Sequence, residues 1–347
     1  MEIQWKGGQV SSGALLLYRS MHLIRQTLSV LDRRHKNDRI SFYAKAFGKL
    51  MLPDRFFQHK AQSLISRYPV LSAENQARLD YYCKLMSPFT LTDENGIGLD
   101  QFRSHPKSTY FLDFYPFIRA FPGNKKFLTL FGDVVSIPDQ PSFVKSRPIA
   151  GINQNSVLLK LDSIRHFTFV QDTKPFREKH PALVWRGRLH LDSAKERRLD
   201  FLRDFTGKPG FDIGHINKGE IFPEFRRERL SIQDQLNFKY ILSLEGVDVA
   251  TNLKWVMSSH SLGFSQKLKF ETWYMEGLLQ PGVHYVEIAD DFSDVEQKID
   301  YYENHPDEAE QIIANANAYT RQFFNPEIED LLSYLVIKRY LELSQPV

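Results

Sequence analysis

Two hydrophobic runs flank a polar turn in residues 239 to 266, KYILSLEGVDVATNLKWVMSSHSLGFSQ. Ile241-Leu242-Ser243-Leu244 reads as a buried strand, Gly246 as its turn, Val249 to Ser259 as a helix, and Leu262-Gly263-Phe264 as the next strand. Asp248 stands where a carboxylate can accept from the free N–H groups of a first helical turn, which predicts an N-cap. KKFLTLFGD (125 to 133) predicts a buried strand ending in a Gly-Asp turn, and ALVWRGRL (182 to 189) a second strand with a glycine turn. Between them, IPDQPSFVKSRPI, NSVLLKL and RHFTFVQD are short segments broken by Pro, Gly and Asn. Alternating strands and helices then continue to the end, which predicts an α/β fold with parallel sheets covered by helices. Ser293-Asp-Val-Glu296 has capping-box spacing, and His305-Pro306-Asp307-Glu308 puts Pro and two acids at a helix start. A last helix is expected over about residues 327 to 343.

The first hundred residues have a different character. Residues 11 to 88 read as helical, with Tyr18, Met21, Ile24, Leu28 and Leu31 forming a one-sided apolar stripe. Arg19, Arg25, Arg33, Arg34, Lys36 and Arg39 crowd the same region. They fit either a solvated helix face or a surface resting on anionic lipid headgroups. No internal repeat or low-complexity linker marks a boundary. The change of local character between 165 and 182 divides the chain into residues 1–174, 175–326 and a C-terminal helix, 327–347, packing back on the first part.

Composition narrows the class. The 347 residues exceed a comfortable single core, so two domains are expected. A net charge of +3 is too small to argue for a nucleic-acid partner. The single cysteine, Cys83, rules out an internal disulfide framework and fits a reducing, cytoplasmic setting. The start lacks the ordered regions of a signal peptide, and no run approaches the ~20 apolar residues of a membrane span. The GxxxxGK[ST], HExxH, CxxC and GxSxG signatures are absent.

Ligands of open α/β sheets sit at the carboxyl ends of strands, and helix N-termini attract phosphates. Glu245, Gly246, Asp248, Thr251, Asn252 and Lys254 occupy such a place, although any capped helix could carry the same residues. Asp133 fits a turn aspartate capping local N–H groups, and equally a carboxylate projected into a cleft. Lys145 and Arg147 lie in a loop suited to phosphate or acceptor anions. His284 and Tyr285, beyond a turn, could face a cleft or pack near the core. Trp273 and Tyr274 fit core packing better than a stacking platform. The aspartates of IADDFSD (288 to 294) invite a metal, but a helix cap explains Ser293 and Asp294 better. The arginines of FRRERL (225 to 230) read as a solvated face.

Taken together, EGVDVATNLKWVMSSHSLGF and KFETWYMEGLLQPGVHYVEIADDFSDVEQKI, with LVWRG, FGDVVSIPDQPSFVKSRPI and NQNSVLLKLDSIRHF upstream, resemble glycosyltransferase family 90 over roughly residues 125 to 325. The bacterial lipopolysaccharide-modifying branch is the nearest likeness. The resemblance implies a GT-B-like fold, two Rossmann-like domains facing a central cleft, with an acceptor-side N-terminal domain and a UDP-sugar-binding C-terminal one. It implies inverting transfer from a UDP-sugar to a hydroxyl of a bacterial surface glycan, most readily lipopolysaccharide core, with no metal or other cofactor. By position, Asp133 is the general base, Arg186 contacts the diphosphate, and Gly187 lets the backbone approach. Gly246, Asp248, Thr251, Asn252 and Lys254 bind the nucleotide, Glu245 the donor sugar, and Lys145, Arg147 and His284 are possible acceptor or phosphate contacts. Eukaryotic members place an Arg where this chain has Asn252, which shifts phosphate charge toward Lys254. The alternative on the same fold is a non-catalytic sugar-nucleotide or glycan-binding protein. The expected setting is the cytoplasm, at the inner face of the membrane, with no nucleic-acid partner.

Overall fold

A computed structural model describes residues 39–91, 96–189 and 197–345; the apolar stripe and the arginines before Arg39 lie outside them. The first half opens with helices α1 (Arg39–Met51), α2 (Asp54–Arg67), α3 (Ala73–Tyr82) and α4 (Thr109–Ile118). Four short strands follow: β1 (Thr129–Leu130), β2 (Ser142–Val144), β3 (Ser146–Pro148) and β4 (Ser156–Leu158). β1, β2 and β4 form a parallel sheet in the order β1-β2-β4. The single strand expected over 125–133 is broken. Lys126–Phe127 pairs elsewhere, β1 is two residues long, and Gly132 turns the chain at φ 120°, a value that favours glycine.

The second half carries β5 (His180–Gly187), α5 (Arg197–Phe205), β6 (Phe211–His215), β7 (Phe238–Ser243), α6 (Leu253–Met257), β8 (Leu262–Ser265), β9 (Phe270–Thr272) and β10 (Val286–Glu287). A wholly parallel sheet runs β10-β8-β7-β5-β6. Its central strand is covered on both faces, and Tyr240, Ile241 and Leu242 are fully buried. That is why its sequence is a continuous apolar run rather than an alternating one. α7 (Val295–Asn304), α8 (Pro306–Arg321) and α9 (Pro326–Leu343) close the chain. Pro306 and Pro326 each open their helix at the first position, and Asn325 caps α9 by accepting from the Glu327 and Ile328 N–H groups.

Two local expectations are corrected. The capping box at Ser293 does not form: the Ser293 hydroxyl donates to Asp291 at 2.7 Å, and Asp294 is the N-cap residue without a side-chain cap bond. Its carboxylate accepts instead from the Ala289 N–H and pairs with Lys298. The expected helix 249–259 shrinks to α6, five residues long, with Val249 and Ala250 buried in the loop before it.

α9 packs against α2, α3 and α4. One hydrophobic cluster joins Phe111 and Phe114 of α4, Phe143 and Val144 of β2, Leu253 and Met257 of α6, and Val336 and Ile337 of α9. Trp273 and Tyr274 are fully buried in it, with Trp273 stacked on Tyr82 at 3.7 Å between centroids. Glu329, buried on α9, accepts from Arg78 at 2.5 Å, Lys160 at 3.0 Å and the Trp273 indole at 2.8 Å. Antiparallel pairing of β3 with β9 ties the two halves by backbone hydrogen bonds, and beside it Arg147 pairs with Glu271 at 2.7 Å.

Candidate active site

The turn after β1 is fixed before it carries chemistry. The Val134 N–H donates to the Ser146 hydroxyl at 3.1 Å, and that hydroxyl donates to the Val134 carbonyl at 3.1 Å. Asp133 is thereby held at the edge of β3, its side chain 31% exposed. Lys145, between β2 and β3, is 1% exposed and forms an ion pair with Asp133. The same ammonium lies 2.7 Å from the carboxylate of Asp248, in the loop after β7. Three residues singled out from sequence therefore converge, and they bring the turn after β1 against the C-terminal end of the five-stranded sheet.

Asp248 is consequently not a helix cap. Its carboxylate is committed to Lys145, and burial pushes its pKa up while the lysine opposes that shift. Asn252 precedes α6 without a side-chain cap bond, donating instead to the Leu242 carbonyl at 2.9 Å. Lys254 is fully buried and paired with Glu276 at 2.6 Å, so it stands behind the loop rather than on its open side. Arg147 is likewise fully buried, donating to Glu271 and to the carbonyls of Ser156 and Tyr81. Gly246, Val247 and Thr251 are exposed along the loop. Glu245 accepts from the Lys269 and Phe270 N–H groups, and burial raises its pKa to about 7 against the pull of those two donors.

β5 and β7 pair in parallel, which sets Arg186 and Gly187 beside the loop that carries Glu245 and Gly246. The Arg186 guanidinium reaches Asp212 at 2.5 Å and donates to the carbonyls of Asp212, Trp185 and Glu228. Gly187 is needed for internal packing: a Cβ there would lie 2.3 Å from the Trp185 indole. His284 accepts from the Gln280 N–H in its own turn and packs edge-on to Tyr319. Burial holds its pKa below the usual range.

Several residues at this place were not singled out from sequence. Burial, and after it the charges of Asp162, Asp133 and Asp248, raise the pKa of Tyr110, half-buried on α4. Asp162 is buried with φ 52°, a left-handed conformation uncommon outside glycine, and pairs with Arg165 at 2.9 Å. Asp113 is pushed up to about 7 by burial although it accepts from the Ser163 N–H and hydroxyl. His166 is buried, and neither ring nitrogen has a hydrogen-bond partner among the described residues. Burial first, then Lys254, Lys145 and Arg165, hold it well below its usual pKa, so the ring is neutral. Arg198 donates to the Leu244 carbonyl at 2.9 Å and braces the end of β7. Asp162 and His166 lie in the segment NQNSVLLKLDSIRHF that carries the family likeness, but nothing in the sequence singled out these residues, Tyr110, Asp113 or Arg198 individually. A cavity of about 420 Å³, lined by α2, α9 and residues 120–125, shares no residue with this site.

Comparison with known proteins agrees with the likeness read from sequence. The family model for glycosyl transferase family 90 matches residues 151–345, running on through α9. O-glucosyltransferase LpsA of Dichelobacter nodosus is 43% identical over 312 residues, covering 89% of this chain and 96% of that protein. Protein O-glucosyltransferase 2 of Danio rerio is 26% identical over 34% of this chain and 23% of its own length. Protein O-glucosyltransferase 3 of Rattus norvegicus is 27% identical over 33% and 23%. A near full-length match to a named transferase favours the enzyme over the non-catalytic alternative. The chain belongs to glycosyltransferase family 90 and is a glycosyltransferase.

Proposed function

We propose that this enzyme transfers a glucosyl residue from UDP-glucose, with inversion, to a hydroxyl of a bacterial surface glycan, with lipopolysaccharide core as the acceptor. In this reading the two parallel sheets are the facing halves of a GT-B fold. Asp133 removes the acceptor hydroxyl's proton as that oxygen attacks the anomeric carbon. The bond to the diphosphate breaks on the opposite face, and UDP leaves with the electron pair. Arg186, Gly246, Thr251 and Asn252, at the ends of β5 and β7, hold the nucleotide, and no metal is required. Lys254 and Arg147, buried and internally paired, act by supporting the loop rather than by touching phosphate.

The observation that carries the reading is the ion pairing of Lys145 with both Asp133 and Asp248, which sets a partly exposed carboxylate against the strand ends where α/β folds bind ligands. The relative's name, O-glucosyltransferase, supports glucose as the sugar. No helix among the described residues is long and apolar enough to cross a membrane. Exposed Ile40, Tyr43, Phe47 and Met51 on α1, with exposed Lys45 and Lys49, support peripheral contact with an anionic membrane.

Calorimetric titration of the purified enzyme with UDP, with CMP and GDP as controls and no added metal, tests the donor assignment. Selective UDP binding is expected. A folded protein that does not bind UDP would refute it. In the same titration Arg186→Ala should weaken UDP binding by about tenfold, the worth of a hydrogen bond to a charged group. Unchanged affinity would remove Arg186 from the phosphate site.

A further inference from the structure

Lys145 joins carboxylates from two separate parts of the fold. Asp133 comes from the turn after β1, Asp248 from the loop after β7, and the ammonium between them is 1% exposed. We propose that Lys145 is a positioning residue that holds Asp133 ionised and aimed, and that couples it through Asp248 to the loop at the end of β7. This rests on Asp133 being the general base.

The charge balance of the three groups explains the arrangement. A buried ammonium is costly unless paired. Before the reaction, Lys145 is shared by two carboxylates, so the group carries one net negative charge beside the acceptor. When the acceptor hydroxyl gives its proton to Asp133, that charge is cancelled. Lys145 and Asp248 remain as a neutral pair. The ammonium is never stranded, and the charge that changes is confined to Asp133. A lysine with a single carboxylate partner would lose it at that moment. Because Asp248 belongs to the β7 loop, a shift of that loop moves the second anchor of the lysine and with it the aim of Asp133.

Among the described residues, the other charged groups around this cluster are already partnered or neutral. Tyr110 faces it from α4, with burial and the nearby carboxylates keeping its hydroxyl protonated. Asp162 pairs with Arg165. His166 is neutral, and Lys254 is paired with Glu276. Among the described residues, Lys145 and, through it, Asp248 are the charges best placed to set the ionisation of Asp133.

The test is the pH profile of kcat/KM, whose acidic limb reports the essential base of the free enzyme. UDP-glucose is the donor, and lipopolysaccharide from cells deleted for this chain is the acceptor. Removing a cation beside a carboxylate raises its pKa by about one unit or more, and removing a neighbouring anion lowers it. Lys145→Met should move the acidic limb up by about one pH unit and lower kcat, whereas Lys145→Arg should leave the limb close to wild type. Asp248→Asn should move it the other way. A merely structural role would give lower activity with an unmoved limb. Limbs unmoved in both Lys145→Met and Asp248→Asn overturn the proposal; if Lys145→Met does not fold, an unmoved limb in Asp248→Asn alone overturns it. Wild-type turnover in Asp133→Asn is a different failure, that of the base assignment itself.

Discussion

Gly187 and Glu245 show how a residue's reason for being at the site can differ from the one its motif suggests. In a family-90 sequence the glycine after Arg186 invites a ligand explanation, yet the Trp185 indole fills the space where a Cβ would stand. Gly187→Ala should therefore cost about 1–3 kcal/mol in folding stability, measured by denaturant unfolding, because the ring must leave its packed position. Wild-type stability in that variant would return Gly187 to a purely ligand-facing role. Glu245 spends its carboxylate on two backbone N–H groups and still titrates near 7 instead of its ordinary 4.5. Its pKa is higher folded than unfolded, so the folded chain keeps a proton that the unfolded chain releases between those values. The associated stability is present below about pH 4.5 and is lost as pH rises through 7. Glu245→Gln should remove that slope, making the variant gain on wild type by on the order of 2 kcal/mol between pH 4.5 and 8. A pH-independent difference between the two proteins would show that Glu245 is solvated and ordinary.

Elements were legible in the sequence where their signal is local. The buried run that gives β7, the strand through LVWRG, Pro306 at a helix start and the last helix all carry their cause within a few residues, and the structure has each of them. The helix expected over 249–259 failed because its supposed cap has a distant partner. Asp248 is held by Lys145, and Asn252 is drawn back to Leu242, so only Leu253–Met257 closes into a helix. In place of the Ser293 box, Asp291, two residues away, accepts from the Ser293 N–H, which the box would have given to Glu296, and from its hydroxyl. Within the site, Asp133 and the loop residues stood out by their turns and by family likeness. Tyr110, Asp162 and His166 did not, since tertiary packing alone brings them there. α9 illustrates the same dependence: its Glu329 is buried against Arg78, Lys160 and Trp273 from three other segments. Glu329→Ala should destabilise the fold by about 3–5 kcal/mol, because Arg78 is left buried and unpaired. The double variant Arg78→Met, Glu329→Leu should recover much of that loss in the same unfolding assay. A single variant with wild-type stability would show that solvent reaches the pair.

At the scale of the whole molecule, charged and backbone contacts join the two halves alongside the apolar cluster that spans β2, α6 and α9. β3 pairs with β9, Arg147 with Glu271, and Lys145 with Asp248. These fix the turn that carries Asp133 relative to the strand ends beside it; in the proposed mechanism that turn supplies the base and the strand ends the leaving-group site. The most direct test is Asp133→Asn, assayed for glucosyl transfer from UDP-glucose to lipopolysaccharide and, by calorimetry, for UDP binding. Transfer should fall by about 10²–10⁴, the usual worth of a general base, while UDP affinity stays within about twofold, well under the 1.4 kcal/mol of a tenfold change. Turnover at the wild-type rate in a variant that still binds UDP would contradict the account, because the base would then lie elsewhere.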